Sequence, residues 1–166
     1  MTNNSNQDTA EFKNPQAAFG QVRDLLGEWN KKGNRKQAGQ IFTNYLADHW
    51  SATKELLLEV ADSSSWEVRE EAAKIWSVAL TWDFARYYSW YQKLIDTAST
   101  NVRRAVLVGA KYSMQEQIGD RVEPLLELIA PLRSVREKYI RKNFGPFAIG
   151  SGFLRNYPDQ TLAKLN

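Results

Sequence analysis

The sequence predicts an all-α fold: a helical-repeat superhelix, or α-α solenoid, in which paired helices stack in one right-handed run. Three observations predict it. Apolar residues recur at three- and four-residue steps, as one face of a helix requires. No stretch alternates apolar and polar residues in the manner of a strand. Finally, "WEVREEAAKIW" (66–76), "TNVRRAVLVGAKY" (100–112) and "RSVREKYIRKNFG" (133–145) resemble one another. Each carries Val-Arg at its start, as Val68-Arg69, Val102-Arg103 and Val135-Arg136, at separations of 34 and 33 residues. A period in the thirties built from two helices is the signature of a helical repeat stack.

The elements follow in order. "MTNNSNQDTAEFKN" is polar, lacks the apolar core of an export signal and reads as a loose tail over residues 1–14. One domain occupies residues 15–166. Asn14-Pro15 starts the first helix, with proline suited to the first helical position. Phe19, Val22, Leu25, Leu26 and Trp29 form its apolar face, and "KKGN" ends it. A second helix runs through Ile41, Tyr45 and Leu46 to about Trp50, and a third begins at "SATKELLLEVA" under a serine cap. Ser64 and Glu67 have capping-box spacing ahead of the next helix, as do Ser134 and Glu137 later on. Between them lie a helix holding Phe84, Tyr88, Tyr91, Leu94 and Ile95, then helices over 101–112 and about 119–130. Gly145-Pro146 opens a further helix that ends near Tyr157-Pro158, and a short last helix follows.

Composition narrows the chemistry. The 166 residues include no cysteine and one histidine, His49, which excludes thiolate and multi-histidine metal sites and a cysteine nucleophile. The lack of cysteine fits a reducing, cytoplasmic setting. No apolar run reaches transmembrane length. No glycine-rich loop stands where a phosphate cradle needs it, because "GPFAIGSG" lacks a preceding strand and a lysine partner. The net charge of +3 is uneven: residues 1–100 hold 11 Lys/Arg against 13 Asp/Glu, and residues 101–166 hold 11 against 6. A basic second half attracts polyanions.

The arginines sharpen that point. Arg103 and Arg104 stand in the first turn of their helix, where the backbone dipole is positive and opposes them. Stacking the repeats places Arg69, Arg103 and Arg136 in a row, with Arg104 beside it and Lys111, Lys138, Arg141, Lys142 and Arg155 as extensions. A purely structural role would pair these cations with Glu70, Glu71, Glu137 or other acids of neighbouring repeats. A nucleic-acid role would set them on phosphates, which the planar guanidinium fork suits. Trp66, at the very start of its helix, suits stacking on bases or sugars. A protein or peptide partner is the third reading, since curved helical stacks bind extended chains.

"SSSWEVREEAAKIW", "TNVRRAVLVGAKY" and "YIRKNFGPFAIGSGFLRNYPDQTLAKL" together resemble the AlkD-like DNA alkylation repair proteins, over roughly residues 55–166. The resemblance implies a HEAT-like repeat fold whose concave cationic face binds double-stranded DNA. It further implies hydrolysis of the N-glycosidic bond of alkylpurines without metal or other cofactor. In that family an early helix carries a tryptophan and, one turn on, a catalytic aspartate; here those positions are Trp66 and Glu70. The family's Arg-Arg pair matches Arg103 and Arg104, which the resemblance sets on the DNA backbone. An "IRKAIGW"-like run matches Ile140, Arg141, Lys142 and Gly145, with Pro146 in place of the tryptophan and Phe147 next. The expected catalytic residue is thus Glu70. The expected DNA contacts are Trp66, Arg69, Arg103, Arg104, Arg136, Arg141, Lys142 and Phe147. The alternative function is a non-catalytic helical scaffold for a protein or peptide.

Overall fold

The computed structural model describes residues 14–27, 32–45, 48–113 and 119–165, and every regular element among them is helical. The expected tail lies outside the described residues except for Asn14, whose Oδ1 accepts the Ala17 amide at 2.9 Å and so caps α1 (Pro15–Gly27). Ala18, Phe19, Val22 and Leu26 face the core from α1, while Trp29 lies outside the described residues. α2 (Lys32–Asn44) buries Ala38 and Phe42. It already contains Gly33 and Asn34, so "KKGN" spans the start of α2 rather than the break before it.

α3 (Trp50–Ala61) begins at Trp50, which the sequence placed at the end of the preceding helix. His49 holds the cap position and makes no side-chain cap bond, so the expected serine cap is absent. Aromatic packing fixes this start instead: Trp50 meets Tyr87 and Trp90 edge-on at 5.4 and 5.5 Å. α4 (Trp66–Trp82) is capped one residue later than expected. Ser65 Oγ accepts the Val68 amide at 3.3 Å and donates to Glu67 Oε2 at 2.7 Å. α5 (Phe84–Thr97) follows under the Asp83 cap, which accepts the Arg86 amide. α6 (Thr100–Ser113) and α7 (Val122–Ile129) come next, α7 entered through one 3₁₀ turn at Gly119–Arg121.

Residues 130–157 depart most from expectation. Ala130–Ser134 is a 3₁₀ turn, and residues 135–137 are not helical. α8 (Lys138–Lys142) starts after Glu137, so Val135-Arg136 stands before the helix and Ser134 caps nothing there. α8 then continues without a break into a π-helical segment, Asn143–Leu154, that runs through Gly145-Pro146. Proline explains the wide register: it has no N–H to donate, and its ring crowds the carbonyl four residues back in an α-helix. Three glycines in the same segment weaken the competing α register. α9 (Pro158–Leu165) closes the described chain.

Contacts run in two series. α4 packs on α6 and α6 on the π-helical segment; α5 packs on α7 and α7 on α9. The α4–α6 contact is the most extensive, and Gly109 permits it: a Cβ there would lie 3.0 Å from Trp76 Cβ and 3.4 Å from Ser77 N. Buried aromatics join the layers. Trp76 Nε1 donates to Leu57 O at 3.2 Å, and Tyr91 OH donates to Trp76 O at 3.0 Å. Both bonds satisfy polar atoms that would otherwise be costly to bury.

Candidate functional site

Three helices of the first series bring their polar residues together. Trp66, Glu70 and Lys74 stand four apart on α4, and side chains at that spacing share a face. Arg104, Lys111 and Tyr112 lie about two turns apart on α6. Tyr139, Asn143 and Phe147 come from α8 and its π-helical continuation.

Glu70 is the centre. Arg104, buried on α6, donates through Nη2 to Glu70 Oε2, through Nη1 to the Arg69 carbonyl at 3.3 Å and through Nε to Asn143 Oδ1 at 3.3 Å. Tyr112 OH donates to the other carboxylate oxygen at 3.1 Å. Burial pushes the Glu70 carboxyl up, but the Arg104 hydrogen bond and charge, the Tyr112 hydroxyl and the Lys74 charge outweigh it, so the acid lies below its usual range. Tyr112 moves the opposite way, to about 12, through burial and the neighbouring carboxylate, and stays a donor at neutral pH. Asn143 is itself fixed by donating Nδ2 to the Tyr139 carbonyl at 2.8 Å.

The two first-turn arginines of α6 therefore have acids to offset the dipole. Arg104 takes Glu70, 34 residues earlier, and Arg103 takes Glu137, 34 residues later, at 2.5 Å. Both pairs span the same 34 residues. Arg69 does not extend outward with them: its Nη1 donates to the carbonyls of Ser63 and Ser64 at 2.6 and 3.0 Å, and its Nε reaches Tyr139 OH at 3.5 Å. The Tyr139 ring takes the guanidinium groups of both Arg69 and Arg104, at 5.9 and 5.6 Å from its centroid. The single row expected from the Val-Arg spacing is thus divided.

Arg136, Arg141 and Lys142 are exposed, as are Lys138 and Arg155, and none forms an ion pair among the described residues. Trp66 is 53% exposed at the start of α4, one turn before Glu70. Phe147 is half-buried and meets Tyr112 edge-on at 6.2 Å. Lys111, expected as part of the outer row, is buried instead. Its Nζ sits 4.4 Å from the Tyr112 ring centroid and 4.3 Å from that of Phe147.

The arrangement offers a fixed carboxylate, a tyrosine donor, two aromatic rings set edge-on, an exposed tryptophan and a nearby basic surface. Among the described residues no three His, Asp or Glu side chains converge to hold a metal ion, and no helix is long and apolar enough to cross a membrane. Sequence reasoning named Glu70, Arg104, Trp66 and Phe147 of this cluster but not Tyr112, Tyr139 and Asn143. The 34-residue offset that relates Val68 to Val102 also relates Glu70 to Arg104, but it points to none of those three residues. Comparison with family models, curated proteins and solved structures gives no match.

Proposed function

We propose that the chain is a DNA-binding HEAT-like repeat protein of the alkylation repair type, its helix pairs continuing as a superhelical stack, and that Glu70 serves glycosidic hydrolysis of a cationic alkylpurine. The observation that carries this reading is the Glu70 carboxylate, held ionised by Arg104 and Tyr112 one turn from exposed Trp66. A cationic purine leaves with the bonding electron pair and becomes neutral, while the sugar gains positive charge that a fixed carboxylate stabilises. Water then attacks the sugar carbon. Glu70 is unsuited to donating a proton, because its acid form is the disfavoured one. Arg136, Arg141, Lys142 and Arg155 would hold backbone phosphates, and Trp66 and Phe147 would contact the exposed lesion.

The test is binding to a short duplex, intact or carrying a stable abasic analogue, across a salt series. Affinity should fall steeply with salt as counterions are displaced. Alanine at Arg141 or Lys142 should each lower the slope of log affinity against log salt by about 1. Absence of binding at low salt would sink the reading. If the duplex is bound, Glu70→Gln should abolish release of an alkylated base, and unchanged release removes the catalytic half.

A second reading is favoured by one observation: Arg103 and Arg104 are already engaged by acids of this chain. That is what a non-catalytic scaffold for a protein or peptide would show, and such a scaffold would bind no duplex.

A further inference from the structure

Glu137 is the one acid between Leu128 and Pro158, a stretch that holds Arg133, Arg136, Lys138, Arg141, Lys142 and Arg155. It stands at the head of α8 but does not serve that helix, because its side chain makes no cap bond there. It reaches across to α6 instead, where its Oε1 accepts Arg103 Nη2 at 2.5 Å. The carboxylate therefore holds the guanidinium by one nitrogen. Thr100 Oγ1, at 3.5 Å, is a second and more distant acceptor for the same nitrogen. Arg103 Nε is buried and has no partner among the described residues. The Nε and Nη2 N–H groups form one edge of a guanidinium, and such an edge fits two oxygens of an oxyanion at once. Half of that edge is left unmet here.

The neighbouring pair is built differently. Arg104 is buried, and its Nη2, Nη1 and Nε all have acceptors, in Glu70, the Arg69 carbonyl and Asn143. The Arg103 pair lies at the surface, with the Glu137 side chain 44% exposed. An exposed ion pair is weak, because water screens it and both side chains regain freedom when it opens. Solvent-facing Arg136 and Lys138 flank Glu137 in sequence. An anion drawn to those two cations thus arrives at the acid between them.

We propose that Glu137 is a stand-in for phosphate: it occupies Arg103 in the unbound chain and gives way to a phosphate oxyanion, which takes Nε and Nη2 together. That this phosphate belongs to a duplex backbone rests on the DNA reading above, and free pyrophosphate shares the same chemistry. The incoming oxyanion satisfies the donor that the carboxylate leaves unmet, and the released carboxylate is hydrated. An arginine already engaged by an acid of this chain can in this way still serve a polyanion. At a distance the pair is neutral, so Arg103 adds nothing to steering. It acts once the partner is seated, by slowing its release.

The whole chain, with arginine and carboxylate signals observed by NMR, is titrated separately with pyrophosphate and with the short duplex. The Arg103 Nε–H signal should move to a hydrogen-bonded position while the Glu137 carboxylate carbon moves to that of an unpaired acid. Movement with the duplex supports the exchange and the DNA reading together. Movement with pyrophosphate, when the duplex does not bind, supports the exchange and sinks the DNA reading. Duplex binding that leaves both signals in place overturns the exchange while the DNA reading stands. Signals unmoved by either probe overturn it as well. A double-mutant cycle with the probe that moves the signals gives a second readout. Glu137→Gln keeps the side-chain shape and removes the competitor, and it should tighten binding by about two- to fivefold, the range an exposed pair sets. That gain should be lost when Arg103→Gln is already present. A gain that persists undiminished without Arg103 would reflect only the removal of a negative charge, and the exchange would be overturned.

Discussion

Arg104 is a buried cation whose three donors meet Glu70, Asn143 and the Arg69 carbonyl, and removing its acid strands the charge. Breaking such a buried pair from one side costs about 3 kcal/mol, whereas replacing both members by apolar groups costs far less. Glu70→Ala should therefore lower the urea midpoint sharply, and Glu70→Ala combined with Arg104→Met should recover more than half of the loss. The pH dependence has a defined sign. Glu70 titrates lower folded than unfolded, so its contribution is full above the ordinary value of 4.5 and disappears as pH falls through the folded value. Acid titration of stability below about pH 4.5 should be shallower in Glu70→Gln than in the parent chain. The place of Glu70 one turn after Trp66 was legible, and Glu70 and Glu137 were among the acids offered to the arginines, but not which arginine each would take. A guanidinium at a helix start reads as solvent-facing in one dimension, and only the close approach of α4 and α6 turns it inward.

At the scale of elements, Gly109 sets the distance between α4 and α6. Its missing Cβ leaves contact with backbone as well as with Trp76, so neither neighbour can move aside cheaply. Gly109→Ala should destabilise the chain by about 1–3 kcal/mol, read as a lowered melting temperature, without disturbing the Ser65 cap. Gly152 differs, because a Cβ there meets the flexible stem of Lys111. Gly152→Ala should expel that stem, and Lys111→Ala in the same chain should restore most of the lost stability. Helix positions were largely legible in the apolar steps of α1, α4, α5 and α6. Those of residues 130–157 were not. Ser134 and Glu137 have the spacing of a capping box, yet the 3₁₀ turn at Ala130–Ser134 delays the helix to Lys138. The π-helical run through Pro146 also escaped local rules, which read Gly-Pro as a boundary.

Across the whole molecule, the excess of cations over acids after residue 100 is partly internal. Arg103, Arg104 and Lys164 are matched by acids, while Arg136, Lys138, Arg141, Lys142 and Arg155 face solvent. Composition displays the bias but not this division, which depends on how the helices stack. Long-range attraction to a polyanion belongs to the second group rather than to the first. Charge reversal at Arg141 and Lys142 should slow association with duplex DNA several-fold at low salt and scarcely alter thermal stability, measured by stopped-flow and melting. The same reversal at Arg103 should do the opposite, because it places two acids against each other at the start of α8.

The aromatic joint between the layers has an optical consequence. Trp76 and Trp90 lie nearly parallel, with ring centroids 5.6 Å apart and planes 18° from each other, and Trp50 closes on Trp90 edge-on. Indoles at such range exchange excitation, so their near-ultraviolet circular dichroism should carry a coupled band that vanishes when α3, α4 and α5 separate. Trp66 stands outside that group and open to water. A water-borne quencher should therefore reach its emission first. Among the described tryptophans, the Trp50, Trp76 and Trp90 group thus reports whether α3, α4 and α5 are joined, and Trp66, more exposed than Trp82, reports whether the surface beside Glu70 is covered.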